Sequence, residues 1–464
     1  MIGAGLAGLI AADTLLEFGL TVDLLEAQPS VGGRIKDIGR NGVPVELGAN
    51  WFSRSQPLMA EQIERFGIET LVTHDEGDHL LSWDNGTRSF RGSIPPLGLL
   101  PLLDIARALA RFERIAARVG EIDPWGNGAM AVYDHQSFGQ WIDSNLGTRS
   151  GREFFRLVSE MVFGVEPCLV SFLWVLYYAS RSVSLTSLIS VAKGHQEMRF
   201  KHGPSELCDR LATCIPPSRL HLSTPVRAVG RSATGSRVEV ETPRGRACYR
   251  AVLCATAPHA ARRIDFRPGL PPARDRLLQA LPMGRVIKVQ AIYRRPFWLE
   301  QGLSGQVMSN GFPLTYTIDN SPADRSCGVL AGFVCSSRAE QFLKRSPGPE
   351  ALVRSALASL FQDRFPGPEE IVIEDWASNP WVGGSYGAYW SPGVMTKLGH
   401  AVLEDSPPIY WCGAELARVH PCQMEGALES GRRVGLSIAA ALAAEPRKLP
   451  ANARHQEGAE PCLS

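Results

Sequence analysis

A glycine-rich fingerprint at the start of the chain sets what it can fold into. Gly3-Ala4-Gly5-Leu6-Ala7-Gly8 reads G-x-G-x-x-G, an apolar helical run follows, and Val22-Asp23-Leu24-Leu25-Glu26 reads as a strand ending in an acid. An acid roughly 20 residues beyond such a turn is the spacing of a dinucleotide-binding β-α-β unit. There Gly3, Gly5 and Gly8 permit a tight turn and close backbone approach to a pyrophosphate. The helix N-terminus offers it free N–H groups, and Glu26 accepts hydrogen bonds from ribose hydroxyls. The motif ordinarily closes a buried strand of roughly four to six residues, yet only Met1 and Ile2 precede it. The expectation is a start lying upstream or a shortened first strand. A shortened strand would remove ladder bonds and apolar burial from the middle of a parallel sheet.

Composition narrows the function classes. With 464 residues the chain can bury a large core and reads as two domains. Its 44% hydrophobic and 20% charged residues suit an ordinary enzyme, and a net charge of +1 gives no pull towards nucleic acid. The ten cysteines show neither a C-x-x-C pair nor metal-ligand spacing. No metal site is expected, and the cysteines read as reduced, mostly buried thiols of a cytoplasmic protein. No signal peptide is visible, and no uncharged run reaches about 18 residues. Leu97 to Val119 is apolar, but Asp104, Arg107, Arg111, Glu113, Arg114 and Arg118 make it amphipathic. It reads as a helix on a domain surface rather than a membrane contact, and no membrane anchor follows the last helix. The oligomeric state stays open, a homodimer included.

Along the chain, residues 1 to about 70 read β-α-β, a Gly-rich turn and a helix at Pro57–Phe66. From about 75 to 200 the pattern is mainly helical, with long segments near 98–119, 151–163 and 169–193. Strands follow at 220–222, 237–241 and 251–255, then 286–293 within a β-rich stretch to 335. A helix at 350–361, a strand at 409–412 and a helix at 424–442 close the pattern, and the tail from Glu445 reads as disordered. The implied nucleotide domain is discontinuous, 1–72 with 203–275 and 392–444; 73–202 and 276–391 form a substrate domain.

Further motifs carry chemistry. Gly32-Gly33-Arg34 follows the second strand, a turn suited to phosphate with a cation to pair it. Glu46-Leu47-Gly48-Ala49-Asn50-Trp51 brings small residues where a flat ring can approach. Taken in order with Gln196–Phe200, Ser223–Val226, Met283–Lys288, Trp381–Tyr386, Tyr410–Glu415 and Met424–Arg433, these segments resemble the flavin-dependent amine oxidases. The likeness is closest to the monoamine oxidase branch and runs from Gly3 to about Leu442.

That resemblance implies an α/β (α+β) fold: a Rossmann-like FAD-binding domain of the glutathione reductase/amine oxidase type with an inserted α+β substrate domain. It implies FAD held by Gly3, Gly5, Gly8, Glu26, Gly33, Arg34, Gly48, Ala49, Asn50, Val226, Gly413, Ala414, Glu415 and Met424. The helix from Met424 would aim its N-terminus at the flavin edge that gains negative charge on reduction. Lys288 resembles the lysine that the family holds near flavin N5 through a water. Tyr386 matches one of two tyrosines that flank the amine, and Gln423 stands in for the other. Tyr316 resembles a cavity-lining aromatic; Met161, Ile189 and Trp174 lie on helices lining or backing that cavity, core packing being the other reading. The branch carries a flavin-linked cysteine where this chain has Ser385. Serine cannot form the thioether, so non-covalent FAD is expected.

The implied reaction converts a small amine to an imine, with molecular oxygen reduced to hydrogen peroxide. An L-amino-acid oxidase is the near alternative, with Arg54 as the best-placed cation for a carboxylate. A flavin C–C desaturase, an escort protein for prenylated GTPases and an inactive flavoprotein are more distant. Lys288 and the Tyr386 turn argue against a desaturase, and the Arg34 turn, Lys288 and the C-terminal flavin segment argue against an escort protein; bound flavin in the purified protein would discriminate against the escort and inactive readings. His420 reads as a structural hydrogen-bonder rather than a base.

Overall fold

The computed structural model describes residues 1–444 apart from 41, 85, 93, 122–123, 126, 233–236 and 363–364; the tail from 445 lies outside the described residues. At its centre is a narrow parallel sheet. Leu24–Leu25 pairs with Leu220–His221, and Val252–Cys254 pairs with Ile409–Trp411, both parallel. Ile2 bridges Leu25 on one side and Cys254 on the other. The expected loss at this position does not occur for the ladder. Ile2 N donates to Leu253 O, Gly3 N to Leu25 O, Leu25 N to Met1 O and Ala255 N to Ile2 O, all at 2.8–2.9 Å.

Helix Leu6–Glu17 leaves this sheet with its first ten residues buried, which explains why its apolar residues show no single face. It packs against helix Met424–Ala444 at Gly431, where a Cβ would stand 2.2 Å from Ala7 O. Helix Pro57–Phe66 forms over the residues its sequence marks and begins with proline at N1. Glu425 accepts from Leu58 N and Met59 N, so a carboxylate on the closing helix caps it.

A seven-stranded sheet forms the second body, in the order Glu370–Asp375, Val286–Tyr293, Gly328–Cys335, Tyr316–Asp319, Leu303–Ser309, Asp78–Trp83 and Gly86–Phe90. The last two strands lie inside the stretch expected to be helical. Their signal was present: Asp84-Asn85-Gly86 between two short β-type runs is hairpin punctuation. Strand Val286–Tyr293 is buried at all eight positions. Its period of two sends Ile287, Val289 and Ala291 into the core beneath the sheet and Val286, Lys288 and Gln290 to the other face.

The helical layer holds Leu99–Glu121, Phe138–Asn145, Arg149–Phe163 and Phe172–Arg181. Its core is aromatic, with Trp141 and Phe172 stacked at 4.9 Å. Trp174 packs there against Tyr177 and Tyr178, so the core reading holds for it. The single helix expected over 169–193 is two, Phe172–Arg181 and Leu185–Ile189. Val183 sits at φ 78°, and Ser184 starts the second helix with a capping box. Leu277, Leu281, Met395 and Ala401 also pack in this helical core. Leu99, Leu100 and Leu103 on the first of these helices stay exposed, whereas Phe112, Ala116 and Val119 are buried. Among the described residues no helix is long and apolar enough to cross a membrane. Of the nine described cysteines, all free, four are buried, three half-buried and two exposed.

Candidate active site

One cavity of about 620 Å³ runs from the opening fingerprint to the face of the seven-stranded sheet. Every residue that the sequence assigns to cofactor, catalysis or substrate lines it except Gly8, Ile189, Trp174 and Arg54. Gly8 lies in the first turn of its helix, where a Cβ would stand 2.0 Å from Gly3 O; its role is close helix–strand packing. Ile189 packs against the helical core, and its neighbour Leu188 reaches the cavity instead.

At the fingerprint end, Glu26 is fixed by backbone donors, Ala4 N at 2.6 Å and Gln28 N at 2.8 Å. Burial nonetheless raises its carboxyl above the ordinary range. A Cβ on Gly5 would meet no protein atom closer than 3.9 Å, so that residue borders open space at the helix start. The first N–H groups of the helix have no intrahelical acceptor. Open space, orphan donors and a buried acid lining the same end of the cavity together fit a dinucleotide.

Arg34 differs from its expected role. Its guanidinium donates to both carboxylate oxygens of Glu415, at 2.6 and 2.9 Å, and to Tyr386 O at 2.9 Å. Burial alone would raise Glu415, but Arg34 outweighs it and holds the carboxyl below its usual range. The arginine is therefore a strut joining three chain segments rather than a free phosphate cation, and the backbone donors of the helix start remain for the anion. Gly48 holds a similar junction: a Cβ there would stand 2.2 Å from Arg34 O.

At the sheet end, Lys288 Nζ donates to Gly48 O and Asn50 Oδ1, both at 2.8 Å. It sits 4.8 Å from the centre of the Trp51 ring and 5.7 Å from that of Phe333. Burial pushes its pKa down to about 7, with Glu46 opposing and Arg199 adding to the fall. Tyr316 stacks on Phe333 at 4.3 Å, and its hydroxyl meets that of Tyr386 at 2.7 Å. Burial keeps both phenols protonated.

Gln423 lines the cavity with its amide tied at both ends. Gln56 Nε2 donates to its Oε1 at 2.9 Å, and its Nε2 donates to Ser182 Oγ at 3.0 Å. His420 stands beside His195, with ring nitrogens 3.5 Å apart. Burial, then His195, push His420 down to about 4, so it is neutral at pH 7. Arg54 is exposed, pairs with Glu197 at 3.2 Å and does not reach the cavity. The sequence reading missed Phe333, Tyr178, His195 and Gln56. Phe333 alone carried a signal, as an aromatic in a strand whose every position is apolar or small.

A family model described as flavin containing amine oxidoreductase matches residues 6–435. AofH of Mycobacterium tuberculosis, assigned as a flavin-containing monoamine oxidase, is 33% identical over 442 residues, covering 95% of this chain and 96% of that protein. Flavin-containing amine oxidase B of Sus scrofa is 29% identical over 455 residues, 96% of this chain and 86% of that one. Cyclohexylamine oxidase from Brevibacterium oxydans superposes with a TM-score of 0.89 at 26% identity, covering 95% and 98% of the two chains. Putrescine oxidase bound to putrescine gives 0.88 at 26% identity, with the same coverage. The protein belongs to the flavin-containing amine oxidoreductases, and it is an oxidoreductase with their Rossmann-like FAD-binding fold.

Proposed function

We propose that this protein is an amine oxidase that holds FAD non-covalently and oxidises a monoamine with an apolar or aromatic body, using molecular oxygen. The observation that carries the reading is the continuity of the cavity from the Gly3–Gly8 turn to Lys288, Tyr316 and Tyr386. Bound flavin would supply the hydride acceptor for C–N oxidation.

This chain's residues supply position and exclusion. The Tyr316–Tyr386 pair and Phe333 give aromatic walls for the amine, and their burial favours its neutral, reactive form. Lys288, with two acceptors already engaged, has one remaining position to hold a water that would serve flavin reoxidation by oxygen. The N-terminus of helix Met424–Ala444, whose first residue lines the cavity, favours negative charge there.

Charge supports the substrate class. Among the described lining residues the only carboxylates are Glu26, at the ribose end, and Glu415, paired with Arg34. The far ammonium of a diamine would lack a partner at the sheet end. Beside Tyr316 and Tyr386 a substrate carboxylate would find no cation but Lys288, which gives up its proton near pH 7; Arg34 is paired with Glu415, Arg54 lies outside, and the lining Arg227 and Arg263 adjoin Val226 and the Trp381 ring instead. The chemistry thus favours a monoamine over an amino acid.

Non-covalent attachment follows from Ser385, whose hydroxyl donates to Val286 O at 3.3 Å. Cys422 is the one described thiol lining the cavity, and burial beside Glu415 pushes it well above its ordinary pKa. A thiolate is the reactive form, so this sulfur is a poor candidate for a flavin link.

The test is anaerobic bleaching of the visible flavin band by aryl- and cycloalkyl-monoamines, diamines and L-amino acids. Bleaching by monoamines first is expected. Bleaching by amino acids alone would replace the reading with an amino-acid oxidase.

A further inference from the structure

Behind Lys288 lies a buried chain of side-chain amides. Asn50, which gives its Oδ1 to Lys288, donates from Nδ2 to Asn320 Oδ1 at 3.2 Å. Asn320 in turn donates from Nδ2 to a carboxylate oxygen of Glu46. Arg199 Nη1 approaches the same Asn320 Oδ1 at 3.5 Å and donates to Asn320 O at 3.0 Å. Glu46, Asn50, Asn320 and Lys288 are 1–3% exposed, so bulk water does not replace any of these partners.

Burial raises the Glu46 carboxyl while Arg199 and Lys288 lower it; while it is ionised, the orientation of the chain is forced. An ionised carboxylate only accepts and a guanidinium only donates. Asn320, held between Glu46 and Arg199, can present its nitrogen only to the first and its oxygen only to the second. Asn50 must then turn its nitrogen to Asn320 and its oxygen to Lys288. The neutral lysine does not impose this, because an uncharged amine both donates and accepts, whereas an ammonium only donates.

We propose that Asn320 is a positioning residue for Lys288: clamped between Glu46 and Arg199, it fixes the Asn50 amide so that two valences of the lysine nitrogen are spent on Asn50 and Gly48 and the third is left for the cavity. The proposal rests on Lys288 belonging to the reacting end of the cavity. Glu46 and Arg199 are the charged groups that face the lysine, with Asp319 beyond Arg199 and the rings of Trp51 and Phe333 completing its surroundings.

The experiment reads the lysine itself. The full-length protein, with its flavin, is labelled at lysine 13Cε, and the Lys288 signal is identified by its loss in Lys288→Met. The wild type should titrate near pH 7. In Asn320→Leu the Asn50 amide is free to present its NH2, and the midpoint should fall by about one pH unit or more, the worth of a hydrogen bond to a charged group. In an Asn50→Asp background both oxygens accept whichever way they turn. There the further change Asn320→Leu should leave the midpoint in place.

An unmoved midpoint in Asn320→Leu overturns the proposal. An equal movement in both backgrounds also overturns it, because Asn320 would then act through packing or field rather than orientation. Should Asn320→Leu fail to fold, Asn320→Ser serves in its place, since one hydroxyl cannot span from Glu46 to Asn50. Turnover does not enter the readout, so failure of the amine-oxidase reading and failure of this proposal are seen separately.

Discussion

A buried lysine that gives up its proton near pH 7 must leave a mark on the stability of the whole molecule. An unfolded lysine holds its proton to about pH 10.5, whereas the folded Lys288 releases it near pH 7. Below about pH 7 both states are charged and the folded state bears the full cost of burying that charge. Between about pH 7 and 10.5 the unfolded state still binds the proton and the folded state does not, so stability rises with pH. Above that range both are neutral and the cost is gone. At 1.36 kcal/mol per pH unit, the gap corresponds to about 5 kcal/mol.

Lys288→Met removes this cost but strands Gly48 O and Asn50 Oδ1, each at about 1–3 kcal/mol. The two effects are of similar size, so a stability difference at one pH decides nothing and its slope decides the matter. Going from about pH 7.5 to about pH 9.5, wild type should gain about 2–3 kcal/mol relative to Lys288→Met. Urea unfolding at fixed flavin excess, followed by tryptophan fluorescence and far-UV circular dichroism, gives the comparison where the two curves coincide. A difference that stays flat over this range would mean that Glu46 outweighs burial and the lysine remains charged. The neutral-lysine account of the site would then be wrong.

Three further outcomes are expected. In stopped-flow half-reactions, Lys288→Met should slow flavin reoxidation by oxygen more than amine-driven reduction; equal effects would remove the lysine from its oxygen-side role. Acid precipitation should release all flavin into the supernatant, and flavin left in the pellet would contradict the argument from Ser385 and Cys422. Gln423→Tyr should improve turnover of small arylalkylamines while lowering stability by about 1–3 kcal/mol through the loss of partners for Gln56 and Ser182; unchanged preference would show that position 423 does not face the substrate.

What the sequence made legible was backbone geometry. A glycine fingerprint, a strand of unbroken apolar residues and a helix with proline at N1 announce themselves locally, because each is a demand on a few consecutive φ and ψ angles. Gly5 and Glu26 could be singled out in this way, and Lys288 through the resemblance of its strand to a family motif. Partnerships are another matter. Gln56 and Gln423 lie 367 positions apart, and Arg34 and Glu415 lie 381 apart. Neither partner's neighbours in sequence encode the other. Arg34 shows the consequence: next to two glycines an arginine reads as a phosphate cation, and only the folded chain brings the carboxylate that claims it. Asn320 is the extreme case. It follows a buried strand, carries no charge and matches no motif, yet an ion pair that the fold assembles from two other segments gives its amide a single orientation. Polarity of this kind is decided by what can donate and what can accept between segments far apart in the chain, and that information exists only once Glu46, Arg199 and Asn320 are in contact.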